Sequence, residues 1–220
     1  MLIVFIRPHL SIEGHFSGCV SRERGPTKLF FGVAMQAGDL IGFSATSISG
    51  IGINLATFGI PFVGLSHIAI VSKFCGRLAL FESTTLNSVN CLSANAKVSG
   101  VQVTDIAERV SNYRGKVWHY PLHAKMFSHQ VEKLEGYLAN FLGTDYDYIG
   151  AFRSGGKGWS WIEAKLRRPD LTSIFCSELC AAAHDHIGIH DYKHVSRWSP
   201  NALARFERRR KIVTKPIRLK

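Results

Sequence analysis

Two adjoining stretches carry the clearest strand pattern in the chain, Ser66-His67-Ile68-Ala69-Ile70-Val71 and Arg77-Leu78-Ala79-Leu80-Phe81-Glu82-Ser83. Both are rich in apolar and β-branched residues, and only a few residues around Lys73-Phe74-Cys75-Gly76 separate them, so they predict a β-hairpin. A turn centred on Phe74 and Cys75 sets His67 directly opposite Glu82 on one face, with Cβ atoms about 4.5–5.5 Å apart. Ala69, Val71, Leu78 and Leu80 complete that face as an apolar surface.

Helical spacing is strongest over Ser128–Leu142, where Val131, Leu134, Leu138 and Leu142 recur on one face, Ser128 is a cap and Gly143 a terminator. Residues 101–112 also predict a helix, with Thr104 as a candidate cap and Ile106 and Val110 one turn apart. Ser199-Pro200 is a cap followed by proline at the first helical position, which opens a helix to about Arg209. Ser49–Phe58 predicts a short helix, and Cys176 to about His186 another. Strands are expected at Gly38–Phe43, where Asp39 satisfies turn N–H groups, at Lys116–Leu122, and at Ile212–Leu219. Pro121 argues for a strand end or sheet edge, and His119 has no partner close in sequence. Residues 1–30 lack periodicity and read as an extension or arm, leaving 31–220 as a single domain.

At 220 residues and 46% hydrophobic content the chain is long enough for one sizeable core. Leu40 to Ser72 holds no Asp, Glu, Lys or Arg, but glycines and Pro61 interrupt it, so no membrane-spanning helix is predicted. The amino terminus lacks the features of a signal peptide. Five cysteines at scattered positions give no secreted disulfide framework, so a reducing location is expected, cytoplasmic or, for a phage-derived chain, virion-associated.

The formal charge of +11 concentrates late, at Lys165–Arg168, Arg205–Lys211 and Lys215–Lys220. Such a charge run is ordinarily a solvated face. Its functional reading is contact with an anionic polymer or a membrane surface, and no motif points to specific nucleic-acid binding. Ser154-Gly155-Gly156-Lys157-Gly158 lacks the G-K-S/T ending of a phosphate loop and reads as a connection.

Chemistry gathers at Ser173-Ile174-Phe175-Cys176-Ser177-Glu178-Leu179-Cys180, read as a lead-in to a helix whose first turn carries Cys176. Unpaired N–H groups and the helix dipole favour a thiolate there. A nucleophilic sulfur needs a base and a group to orient that base, which the hairpin offers as His67 and Glu82. Glu178 is a favourable charge at the helix start.

These residues resemble the permuted branch of the NlpC-like, papain-fold cysteine hydrolases. The matching pieces, in the family's order over about residues 35–185, are Gly38-Asp39-Leu40-Ile41, Ile53-Asn54-Leu55-Ala56-Thr57 leading to Ser66-His67, Phe81-Glu82, Gly143-Thr144-Asp145-Tyr146-Asp147, and Phe175-Cys176-Ser177-Glu178-Leu179. The resemblance implies an α+β, circularly permuted papain-like fold, an antiparallel sheet packed against helices that include the nucleophile helix. It implies Cys176 as nucleophile, His67 as general base and Glu82 as orienter, with Ser66, Tyr146, Tyr148 and Ser177 as positions that support the site or touch substrate. The reaction expected is hydrolysis of an amide, or of a thioester or ester, through an acyl-enzyme, with helix-start N–H groups, that of Cys176 included, holding the oxyanion. Substrates would be a peptide, a peptidoglycan peptide or a lipid-linked acyl group, without a cofactor or metal.

Two rivals stand beside this reading. One is a catalytically silent module of the same fold that binds through its basic face. The other is zinc held by Cys176, Cys180 and His184; ligands eight residues apart on a straight helix are about 12 Å apart along the axis, too far to share one ion without loop ligands.

Overall fold

The computed structural model describes residues 32–45, 64–85, 88–143, 172–192 and 198–220, with 172–175 described by their backbone alone. The expected arm at 1–30, the helix at Ser49–Phe58, the glycine-rich connection, Tyr146 and Tyr148 lie outside these residues.

Among the described residues six strands form one antiparallel sheet: β1 (Leu40–Ala45), β2 (His67–Phe74), β3 (Arg77–Thr84), β4 (Gly100–Thr104), β5 (Gly115–Tyr120) and β6 (Ile217–Arg218), in the spatial order β4-β3-β2-β1-β5-β6. Four helices accompany them among the described residues: α1 (Ile106–Asn112), α2 (Ser128–Ala139), α3 (Thr172–His186) and α4 (Pro200–Arg209). The architecture is therefore α+β.

Side-chain alternation along the strands makes two apolar layers. On one face Ile68, Ile70, Phe81, Val101 and Val103 pack with Leu134 and Leu138 of α2, Cys176, Leu179 and Cys180 of α3, and Leu203 of α4. On the other, Ile41, Phe43, Ala69, Val71, Leu80 and Val117 pack with Ile106 and Val110 of α1 and with Tyr113.

The β2–β3 hairpin forms in a different register from the one expected. Cys75 and Gly76 both have positive φ, 52° and 75°, the backbone of a two-residue turn that matches strand twist. The turn therefore centres one residue later, Phe74 pairs with Arg77, and Ile70 pairs with Phe81. This moves the pairing by two residues, which preserves the faces, so Glu82 lies diagonally across from His67 rather than opposite it. Cys75 is also disulfide-bonded, against the expectation drawn from the scattered cysteines, whereas Cys91, Cys176 and Cys180 form no disulfide.

Residues 101–112 are not one helix. Gly100–Thr104 is a strand that pairs along β3, with Glu82 facing Gln102, and α1 starts only after Asp105, whose carboxylate accepts from the Glu108 N–H. α2 likewise begins at Ser128 itself, while Gln130 accepts from the Phe127 N–H. The last strand is shorter than expected, with Ile217–Arg218 on β5 and a separate bridge between Leu122 and Val213. α4 spans Pro200–Arg209 with Ser199 capping the Ala202 N–H, as its sequence signals dictate. No helix among the described residues is long and apolar enough to cross a membrane.

Candidate active site

His67 is the first residue of β2, and Glu82 lies near the end of β3. Diagonal neighbours on adjacent strands are within reach of long side chains. The imidazole Nε2 and the Glu82 Oε2 lie 2.7 Å apart, both groups buried. Glu82 is fully enclosed, so its charge requires partners. Gln102 donates to its Oε1 at 3.2 Å, and Arg109 donates through Nε to Oε1 at 2.7 Å and through Nη2 to Oε2 at 3.0 Å.

Burial alone would push the Glu82 carboxyl up, but the Arg109 charge, then the His67 hydrogen bond and charge, bring it down to about 2. For His67, burial would lower the imidazole. The Cys176 sulfur, through charge and a side-chain hydrogen bond, together with Glu82, raises it to about 9. Since Nε2 faces Glu82, Nδ1 is the ring nitrogen left for the sulfur. A base that bridges a carboxylate and a thiol is the arrangement that moves a proton from sulfur to nitrogen while the carboxylate fixes the ring. The three residues singled out in the sequence thus come together.

Their setting differs from expectation in one respect. α3 begins at Thr172, so Cys176 stands in its second turn, and its N–H is directed along the helix toward the carbonyl four residues back. That N–H is spent inside the helix and is unsuited to an oxyanion.

Ser66 is buried and supports the strand before His67. Its Oγ donates to the Phe43 carbonyl at 3.2 Å and accepts from the Ala45 N–H at 3.1 Å, which leaves Tyr113 to donate to it at 3.4 Å. Asn201 at the start of α4 clasps Leu65 from both sides, accepting from its N–H at 2.7 Å and donating to its carbonyl at 3.0 Å. Ser177 donates to the Trp198 carbonyl, which ties α3 to the approach of α4.

The sequence did not single out Arg109, Gln102 or Asn201. Arg109 carried a signal: it lies three residues from Ile106 and next to Val110, an arginine on the apolar stripe of a helix.

Two other buried histidines face carboxylates. His119 Nε2 lies 2.7 Å from Asp39 Oδ2, and Asp39 also accepts from the N–H groups of Gln36 and Leu122, the turn role expected of it. His184 Nδ1 lies 2.9 Å from Glu207 Oε1, and its Nε2 lies 2.8 Å from the Gly38 carbonyl. Of the suggested zinc ligands, His184 therefore has both ring nitrogens occupied. Cys180, one turn past Cys176, is a thiol that burial and the neighbouring Cys176 and Glu207 charges push well up. Among the described residues no group of three or more His, Cys, Asp and Glu is placed to hold a metal ion.

No protein-family model and no curated protein matches the chain. Among solved structures it is similar to the crystal structure of the metalloprotein yiiX from Escherichia coli O157:H7, with a TM-score of 0.46 and 17% identity, over 83% of this chain and 88% of that one.

Proposed function

We propose that the protein is a cysteine hydrolase that cleaves an amide, or a thioester or ester, through an acyl-enzyme on Cys176. The observation that carries this reading is the His67 imidazole, bonded through Nε2 to the buried Glu82 carboxylate and in hydrogen-bond contact with the Cys176 sulfur. In the first half-reaction the sulfur attacks the acyl carbon while His67 takes the thiol proton and returns it to the leaving amine. In the second, His67 accepts a proton from water, hydroxide adds to the thioester, and the thiol is regenerated with release of the acid. Glu82 keeps Nε2 as a donor throughout, so Nδ1 is the nitrogen that cycles.

The fold reading we propose is the circularly permuted papain-like one. Its support is the chain order His67, Glu82, Cys176, the base and orienter on adjacent antiparallel strands, and the cysteine on a helix packed against β2 and β3. Substrates of this reading are peptides, peptidoglycan peptides and acylated amides, with no cofactor. From Arg205 onward the described chain exposes Arg205, Arg208, Arg209, Arg210, Lys211, Lys215, Arg218 and Lys220, whereas its one carboxylate side chain, Glu207, is buried. This favours docking to an anionic polymer or membrane surface, the property it shares with the reading of a silent binding module.

Iodoacetamide labelling at neutral pH, mapped by mass spectrometry, tests the assignment. Cys176 should label faster than Cys91 and Cys180, and Cys176→Ala should abolish turnover on peptidoglycan fragments or acylated amides with its circular dichroism unchanged. A folded wild-type protein whose Cys176 resists alkylation would overturn it.

A further inference from the structure

The orienting carboxylate of the proposed site is itself oriented. Glu82 accepts four hydrogen bonds, and two come from one side chain that approaches both of its oxygens. Two-point binding by a guanidinium fixes the plane of a carboxylate as well as its distance. Oε2 is shared between Arg109 and His67, so the guanidinium determines which lone pair remains for Nε2.

Arg109 is 1% exposed. Its guanidinium carbon lies 4.6 Å from the centre of the Phe43 ring and 5.5 Å from that of Tyr113. Phe43 in turn packs 5.5 Å from the His67 ring. The cation is therefore walled by aromatic faces and walled off from water, and an arginine does not shed its proton. Its ion-pair partner is Glu82.

The charges at the site then follow a simple balance. With Arg109 positive and Glu82 negative, moving a proton from the Cys176 sulfur to His67 exchanges one neutral arrangement for another. Without Arg109 both arrangements carry a net negative charge out of water, and the cheapest relief is a proton on Glu82 or on the sulfur. Among the described residues the other titratable groups that feel the Glu82 charge are Tyr113, beyond the end of α1, and Cys180 on α3. Neither supplies a positive charge.

We propose that Arg109 is a positioning residue for the thiol chemistry: by gripping both oxygens of Glu82 it keeps that carboxylate ionised and aimed at His67, and so sets the pH range in which the Cys176 sulfur can act. This deepens, and rests on, the hydrolase reading.

The test compares wild type with Arg109→Met, Arg109→Lys, Glu82→Gln and the Glu82→Gln/Arg109→Met double variant. Two readouts are taken across pH, the iodoacetamide rate at Cys176 and the His67 imidazole titration by nitrogen-15 NMR. In Arg109→Met the alkylation midpoint moves up by about one pH unit or more, which is about a tenfold loss of rate on the rising limb, and the His67 midpoint is displaced by a similar amount. Arg109→Lys, which keeps the charge and loses the fork, lies between. In the Glu82→Gln background Arg109→Met displaces the midpoints less than it does in wild type, because the arginine acts chiefly through that carboxylate.

Midpoints that stay at their wild-type values in Arg109→Met, or an Arg109→Met displacement as large in the Glu82→Gln background as in wild type, overturn the proposal. Should Arg109→Met fail to fold, Arg109→Lys and the double variant, in which a charge pair is replaced by a neutral pair, decide in its place. A wild-type Cys176 inert at every pH would reject the hydrolase reading, while the His67 titration would still decide whether Arg109 sets the ionisation of the pair.

Discussion

Replacing Glu82 by Gln keeps the outline of the side chain and removes one charge from the most enclosed part of the site. The Arg109 guanidinium, 1% exposed, would then lie buried without its counter-ion, and His67 would lose the negative charge of the acceptor 2.7 Å from Nε2. Breaking a buried pair by removing one partner costs about 3–5 kcal/mol. A second route gives a similar size. Holding Glu82 at about 2 against an ordinary 4.5 corresponds to about 3 kcal/mol in favour of the folded state when the carboxylate is ionised. The two routes describe one interaction and are not added. Against a typical total of about 5–15 kcal/mol, a loss of this size is readily measured. Urea denaturation followed by tryptophan fluorescence at pH 5.5 should show the midpoint falling sharply with little change in slope. At pH 2.5, where wild-type Glu82 is itself becoming protonated, the gap between the two proteins should narrow. A variant within about 1 kcal/mol of wild type at pH 5.5, or a gap independent of pH, would refute the claim that the buried pairing of Glu82 with Arg109 and His67 stabilises the fold.

The same two groups predict a stability plateau. The lowered Glu82 contributes fully above about 4.5 and is lost as pH falls toward 2, while the raised His67 contributes fully below 6.5 and is lost as pH rises toward 9, so urea midpoints should fall on both sides of about pH 4.5–6.5 and His67→Gln should flatten the alkaline side. Gly38→Ala should destabilise by about 1–3 kcal/mol, because the residue has φ of +88° and a Cβ there would lie 2.5 Å from Leu122 Cδ1 and 2.6 Å from Met126 Sδ; thermal melting checks it. Asn201→Ala removes both clasps on Leu65, strands two buried backbone groups and should cost about 1–3 kcal/mol, with turnover lowered because the chain entering His67 loosens; melting and kcat measured together separate the two effects.

What the sequence made legible is local. Ser199-Pro200 signals a helix start within two residues, and α4 begins there. The paired apolar stretches around Phe74 announce a hairpin, but Gly76 decides its turn, and a shift of one residue in the turn moves the register by two. The conclusion about His67 and Glu82 survives because the shift is even; an odd one would have sent them to opposite faces. Residues 101–112 mislead for a non-local reason. Val101 and Val103 obey strand spacing only once β3 supplies a neighbour, and Ile106 with Val110 obeys helical spacing only from Asp105 onward. Gln102 and Arg109 disappear into the single helix that the local pattern suggests. The pairing of His119 with Asp39, 80 residues away, has no local trace at all.

The described chain buries three histidine–carboxylate pairs, so proximity of the two groups does not by itself mark a site. At His184 both ring nitrogens are committed, one to Glu207 and one to the Gly38 carbonyl; the carbonyl can only accept, so Nε2 donates, and the Glu207 charge beside Nδ1 outweighs burial and raises the imidazole, so the ring bolts α3 and α4 to the turn before β1. At His119 the carboxylate is also spent on the N–H groups of Gln36 and Leu122, and the ring is sealed in the core. Only at His67, among the described residues, does the ring have its carboxylate on one nitrogen and a sulfur, which can both give and take a proton, within reach of the rest of the ring. There, too, the carboxylate has a cation of its own in Arg109, which the described residues do not supply to the other two pairs. A histidine meant to stay in one protonation state needs acceptors alone, as at His184. One meant to alternate needs a partner that alternates with it and a surrounding charge that stays balanced in both states, and that difference singles out His67.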